Sequence, residues 1–291
     1  MIRQKLPSRI FNFINGLLIT LFCISVLFPF ASLLLTSFST AASASLGGFD
    51  FDFGKMSFSN YSIMLRSQYI WSGYLNTIFR TVVGTVLSVL LTSIGAYCLS
   101  KPFFPHRTFW MGFVVFTMFF SGGLIPTYLV MCEIGMKNSI WSMILPCLIS
   151  TYNLVIMRNF FQQIPAAIEE SGRIDGAGNL RILFSLIYPI STPVLATIAL
   201  WVAVSHWNAW FDCLVYIRDA DKFVLQVVLR RIVLQGSTQM IEMGVTPDDV
   251  MSNPDGLKAA AIFVATLPIL CVYPFAQKYF VKGIIVGSLK G

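Results

Sequence analysis

Glu169, Glu170 and Asp175 lie close together in a chain of 291 residues of which only 11% are charged. Carboxylates grouped in this way could ligate a metal, act as acid and base, or serve as a contact for a docked partner. A metal needs further ligands, and neither histidine, His106 nor His206, has a neighbour at ligand spacing. The six cysteines (Cys23, Cys98, Cys132, Cys147, Cys213 and Cys271) show no C-x-x-C pattern and sit in or beside apolar stretches, where cysteine behaves as a small hydrophobe. Acid-base chemistry needs a nucleophile and base in register or a metal cluster, and neither is evident. No G-x-x-x-x-G-K-S/T phosphate loop occurs, and Gly176-Ala177-Gly178 is too short for a dinucleotide fingerprint. Docking remains, against the plainer alternative of an acidic pair that merely solvates a surface loop.

The residues around the carboxylates specify a short helix. Pro165 suits the first helical position, Glu169 and Glu170 fall in its first half, Arg173 in its last turn and Gly176 just beyond it. Each charge agrees with the helix dipole. The helix is about 11 residues, or roughly 16 Å. Asn179 is placed to cap a second helix that runs into the following apolar stretch. A short amphipathic helix joined to two longer ones by tight turns is suited to transmit motion to something docked on it.

Those longer elements are membrane spans. The chain is 56% hydrophobic, with a mean hydropathy of +0.75, whereas ordinary soluble domains are roughly 25% charged. Windows 10–49, 81–100, 108–132, 138–157, 182–211 and 259–277 contain no Asp, Glu, Lys or Arg. About 20 apolar residues cross a hydrocarbon core of about 30 Å, so six spans are expected in one transmembrane domain covering 1–291, at about 10–38, 75–100, 108–131, 138–157, 182–206 and 259–281. The segments 158–181 and 212–258 then become an inner loop and a long outer, extracellular loop. With the N-terminus inside, the inner segments hold eleven of the 20 basic residues and only three acids, the carboxylates above. That is the positive-inside pattern, with both termini cytoplasmic. The net charge of +7 therefore orients a bundle; a nucleic-acid surface would need a polar domain, and none is present. Ala42-Ser43-Ala44 looks like a signal-peptidase site, but the run from Ile10 to Phe38 exceeds the roughly 7–15 residues of a signal core, so an uncleaved first span is expected.

Within the spans, Pro29 is expected to kink the first. Gly84, Ser88, Thr92 and Ala96 form a small-residue ridge on the second that should pack inside a bundle. Arg80, near the outer end of that span, is read as snorkelling or facing a partner. Ser121-Gly122-Gly123 and Pro126 interrupt the third span, and the break should face the bundle interior, as a packed kink or as part of a pathway. On the outer side, Ser39 to Tyr74 reads as a folded cap. Leu225, Val228, Leu229, Ile232 and Val233 form one face of an amphipathic helix ending near Gly236, a lid over the outer mouth or an interfacial helix on lipid. The polar, acidic segment 237–258 reads as a docking surface for an external protein. His206, Trp207, Asn208 and Trp210 combine aromatic faces with hydrogen-bonding groups, the chemistry of sugar recognition, although Trp at a membrane boundary is also ordinary belt anchoring.

From Glu170, the spacing E-x-x-x-x-x-G to Gly176, with Pro189 thirteen residues later, resembles the coupling-loop motif of permease subunits of ABC importers. The family usually shows Glu-Ala-Ala where this chain has Glu170-Ser171-Gly172. Ile174-Asp175-Gly176, Asn60-Tyr61, Asn76-Thr77, His206-Trp207-Asn208 and Gly-Ser-Leu-Lys-Gly at 287–291 are similar to carbohydrate importers of the maltose type. F-S-G-G-L-I-P-T-Y (120–128) and Y-P-F-A-Q-K-Y-F-V-K-G (273–283) resemble the polysaccharide and oligosaccharide branch. The resemblance implies an all-α, six-span type I importer (MetI-like) permease fold in a bacterial plasma membrane. It implies that the helix in 165–178, with Glu169, Glu170, Ser171, Gly172, Arg173, Asp175, Gly176, Ala177 and Pro189, engages a cytoplasmic ATPase, Glu170 accepting a hydrogen bond from a basic group there. The partners implied are two ATPase copies, a second permease, an external solute-binding protein and membrane lipid, with ATP and Mg in the ATPase and no cofactor on this chain. Gly122, Gly123, Trp207, Asn208 and Trp210 are the pathway candidates. An ABC permease for peptide or polyamine would share the motif. An ion-coupled carrier would need ionisable residues within the spans and an internal repeat.

Overall fold

The computed structural model describes residues 6–40, 56–242 and 245–288, and every regular element among them is helical. In chain order the helices are α1 (Leu6–Ser37), α2 (Ser59–Arg66), α3 (Gln68–Ser100), α4 (Arg107–Phe119), α5 (Leu124–Glu133), α6 (Thr151–Gln162) and α7 (Ala166–Ile174). They continue with α8 (Asn179–Ile190), α9 (Thr192–Asn208), α10 (Phe211–Tyr216), α11 (Leu225–Gln235), α12 (Ser237–Glu242), α13 (Pro247–Ser252) and α14 (Pro254–Ser288). Two short 3-10 turns, Ile140–Met143 and Leu145–Cys147, precede α6. The chain divides into two compact units, Met1–Gln68 with Leu229–Thr266 and Tyr69–Val228 with Leu267–Gly291. Ala42-Ser43-Ala44 and residues 289–291 lie outside the described residues.

In the first unit α1 runs uninterrupted through Pro29, and the apolar side chains of its span are open to the surroundings. Its C-terminal carbonyls lack helical partners, and asparagines supply them. Asn60 Nδ2 donates to the carbonyls of Ser37 and Ser39, each at 2.9 Å, and Asn253 Nδ2 donates to Ser39 O at 2.8 Å. Ser37 Oγ and Tyr61 Oη share a 2.7 Å hydrogen bond. Asn60-Tyr61 is thus a capping device, and the close approach of Asn60 and Asn253 explains glycine at 256, where a Cβ would strike both. Of the segment 237–258, the described residues form α12, α13 and the first turn of α14.

In the second unit, Gly84, Ser88, Thr92 and Ala96 are all buried on α3, as the ridge predicts. They lead into an apolar core of α3, α6, α8 and α9 that includes Tyr97, Met157, Phe161, Ile182, Leu183, Ile187 and Ile198. α3 begins at Gln68, so the last part of the expected outer cap already belongs to the second span's helix.

Three spans are not straight. α4 and α5 diverge by 111°, the 3-10 turns and α6 by 49°, and α8 and α9 by 88°. With the three long helices Ile10–Ser37, Gln68–Ser100 and Pro254–Cys271, they give as many as six candidate spans. The break at Ser121-Gly122-Gly123 is exposed in this chain rather than turned inward, with Phe119 at 84% exposure. Local side chains serve the backbone groups it frees. Gly123 N donates to Ser121 Oγ at 3.2 Å, Thr127 Oγ1 donates to Gly123 O at 2.8 Å, and Gly123 has φ +87°. The fourth candidate span extends to Gln162, and Ser150 caps its helical part by accepting the Asn153 N–H. Asn179 is the first residue of α8 rather than its cap, and α8 turns sharply at Ser191 instead of continuing into α9. Pro189 and Pro193 flank that turn and withhold two helical donors.

Candidate functional site

α7 occupies the stretch that its end signals mark. Pro165 stands one position before the helix with φ −56°, and Gly176 turns the chain at φ +75°, a conformation that favours glycine. The helix has two faces of different chemistry. Glu169 and Gly172, three positions apart, are buried, whereas Glu170, Ser171, Ile174 and Asp175 are exposed, Ile174 to 86%.

The buried face is fastened to the end of α3. Lys101 Nζ donates to Glu169 Oε1 in an ion pair, and Tyr97 Oη donates to Glu169 Oε2 at 3.4 Å. The Lys101 ammonium also lies over the Tyr97 ring, 4.3 Å from its centroid. Arg173 stacks over Phe103 at 4.7 Å, in the turn that follows α3. Arg158, from α6, donates to Leu99 O at 3.0 Å and satisfies one of the last carbonyls of α3. Gly172 lets α7 approach α8, because a Cβ there would lie 2.7 Å from Leu186 Cδ1. The two glutamates that look alike in the sequence therefore differ. Glu169 is consumed inside the chain, and Glu170 is available to another molecule.

The first half of α3 holds a second buried cation. Arg80, 1% exposed, pairs with Asp212 through both terminal nitrogens, Nη1 to Oδ1 at 3.1 Å and Nη2 to Oδ2. It also donates to Met143 O at 3.2 Å, Ala209 O at 3.4 Å and His206 Nδ1 at 3.4 Å. The arginine faces protein partners and does not snorkel. His206 is buried between Arg80 and Gly84, where an added Cβ would lie 2.5 Å from His206 Nε2. Of its sequence neighbours, Trp207 and Trp210 are half-buried, and Asn208 is exposed with its amide donating to Val204 O at 2.9 Å. Gly122 and Gly123 lie on the exposed α4–α5 turn.

Next to this site, Asn76 Nδ2 donates to the carbonyls of Asp221 and Phe223 at 2.7 and 3.1 Å, and Thr77 Oγ1 accepts the Leu225 N–H at 2.8 Å, capping α11. The buried stripe of α11 runs through Leu225, Val227, Val228 and Ile232, with Val233 exposed instead of forming its edge. In the loop before it, Asn138 and Lys222 donate to Asp219 and hold its carboxyl below the usual carboxylate range.

Lys101, Tyr97, Phe103 and Asp212 escape sequence reasoning. Tyr97 and Lys101 share a helix face at i, i+4 spacing, which is visible in the sequence, but nothing there pairs them with Glu169. Among the described residues, no group of three or more His, Cys, Asp or Glu could hold a metal ion.

No family model matches the chain. It is 38% identical over 286 residues to the polygalacturonan/rhamnogalacturonan transport system permease protein YtcP of Bacillus subtilis (strain 168), covering 98% of this chain and 100% of that one. It is 39% identical over 289 residues to Protein LplC of the same strain, covering 98% and 96%. Among solved structures it is similar to a chain of a bacterial ABC transporter involved in the import of the acidic polysaccharide alginate. The TM-score is 0.88 at 33% identity, over 96% of this chain and 100% of that chain.

Proposed function

The chain is an integral membrane protein and belongs to the family of permease subunits of carbohydrate-importing ABC transporters, and on that premise we propose how it is seated and driven. Its three long helices and three bent helix pairs are the six spans, with residues near both ends of the chain cytoplasmic, as the positive-inside count favours. α7 then lies on the cytoplasmic face and the Arg80 half of α3 toward the outer face. The exposed face of α7 docks in a cleft of a separate ATPase. Glu170 accepts a charge-assisted hydrogen bond there, worth about 1.5–3 kcal/mol, and the Ile174 side chain fills an apolar hollow. ATP and Mg are held by that ATPase, present in two copies. A second permease completes the bundle, and an external binding protein delivers the solute to the outer side.

The observation that supports this reading best is the two-faced α7, which spends one carboxylate internally and leaves the next one, with an exposed isoleucine, free for a partner. Closure of the ATPase pair would draw the docked helices together and rock the membrane helices between inward-open and outward-open forms. Gly122 and Gly123, exposed in the single chain, and Trp207, Asn208 and Trp210 then line or flank the route between the two permeases.

The solute is an oligosaccharide. Acidic oligosaccharides come first, because YtcP and the alginate importer carry names for acidic polymers. The test is to purify the tagged chain from its native membrane, identify its companions and measure uptake of oligogalacturonides, alginate oligosaccharides and maltodextrins in proteoliposomes. Co-purification of an ATPase and a second permease with ATP-dependent uptake of one of these sugars is expected. A lone homo-oligomer driven by an ion gradient, or uptake confined to peptides or polyamines, would overturn the proposal.

A further inference from the structure

We propose that Lys101 and Glu169 are positioning residues for coupling, their ion pair acting as the strut through which displacement of α7 reaches α3; this rests on the reading that α7 meets the ATPase. In the chain, α7 is joined directly only to α6 and α8, and Glu169 is 68 positions from Lys101. The ion pair therefore ties the docking helix straight to the end of α3, beside the Arg173–Phe103 stack and the Arg158 bond from α6 to Leu99 O. Both side chains are 10% exposed, and the carboxylate is engaged on both oxygens from the α3 side, by Lys101 and by Tyr97. Two well-packed apolar side chains could hold such a site together as firmly. What the ion pair adds is direction, since a hydrogen-bonded charge pair fixes distance and angle where apolar surfaces slide. α3 is a single 33-residue helix, and it is held again in its first half by Arg80 to Asp212. A push delivered at Lys101 is therefore carried along a rod to the residues around His206.

The experiment uses the complete transporter in proteoliposomes, supplied with its binding protein and the mixed oligosaccharides named above, and reads both sugar uptake and ATP hydrolysis. The neutral double variant Lys101→Met with Glu169→Met is expected to assemble with unchanged thermal stability and to hydrolyse ATP. Its sugar taken up per ATP should fall at least tenfold. Each single reversal, Lys101→Glu or Glu169→Lys, should abolish uptake, and the two together should restore at least a third of the wild-type ratio. A neutral double variant that couples at the wild-type ratio would overturn the strut, as would an assembled, ATP-hydrolysing swap that recovers no uptake. Glu170→Ala, measured alongside, separates the two ideas. Uptake lost at Glu170 but normal in the neutral pair removes the strut alone, while normal uptake in Glu170→Ala removes the docking reading beneath it.

Discussion

Arg80, in the first half of α3, and Lys101, just past its last residue, are each buried against a carboxylate from a distant helix, but the two sites differ in what lies beyond the pair. Arg80 is surrounded on every side by its own chain: Asp212, two backbone carbonyls and His206 take up the guanidinium's donors, and Gly84 closes the ring against them. Lys101 is a point charge with one carboxylate and one aromatic face, and the helix that supplies Glu169 presents Glu170 and Ile174 outward. The planar, many-donor arginine suits a junction closed within its own chain, whereas the lysine ties on an element that has a second, outward face. Twenty-one positions separate the two cations, about 30 Å along a helix, which matches the thickness of a bilayer's hydrocarbon core. An ion pair therefore stands at each end of the charge-free stretch 81–100, and in the proposed reading only the Glu169 pair belongs to the docking helix.

The comparison breaks most severely at the arginine. Asp212→Ala leaves a guanidinium buried without its counter-charge and should cost about 3–5 kcal/mol, read as loss of monodisperse, folded protein in detergent; an unaltered melting temperature would show that the Arg80 site is not a clamp. The glycines sharpen the contrast. Gly84→Ala drives a methyl into the ring of His206 and should cost about 1–3 kcal/mol. Gly172→Ala meets Leu186 Cδ1 at 2.7 Å and Ile182 Cγ1 at 3.3 Å, flexible side-chain atoms that can give way, and gains about 1 kcal/mol in helix propensity. The thermal shift of Gly172→Ala should stay small while that of Gly84→Ala is clear, and equal shifts would erase the distinction. The smallest effect concerns acid. The Asp219 carboxyl is depressed by Asn138 and Lys222, so its contribution is complete above its unfolded pKa of about 4 and disappears as pH falls through the lower folded value. Hydrogen exchange in the 217–223 loop should therefore rise only below about pH 4.

How much of this was legible in the sequence depended on whether a signal was local. α7 was, because Pro165, Arg173 and Gly176 each act through the backbone beside them, and the structure moves its start by one residue. The α3 ridge was legible for the same reason, its small residues repeating on one face. The bends were not. A charge-free window such as 182–211 reports composition, whereas the 88° turn between α8 and α9 comes from Pro189 and Pro193 acting together around Ser191. The ion pairs were further out of reach. Asp212 stands just past that window and reads as the start of an outer loop, yet it closes on Arg80 across 132 positions. Likewise, two adjacent glutamates look equivalent until the fold turns Glu169 toward Lys101.

The most direct test of the central claim, that the exposed face of α7 couples this permease to ATP hydrolysis, is sugar-stimulated ATPase activity of the reconstituted transporter carrying Glu170→Ala. Removing an exposed carboxylate should alter the chain's own stability by no more than about 0.5 kcal/mol, so the variant should assemble in the membrane normally. Stimulation by the loaded binding protein and sugar uptake should both be lost. Wild-type stimulation with wild-type uptake in that variant would contradict the account.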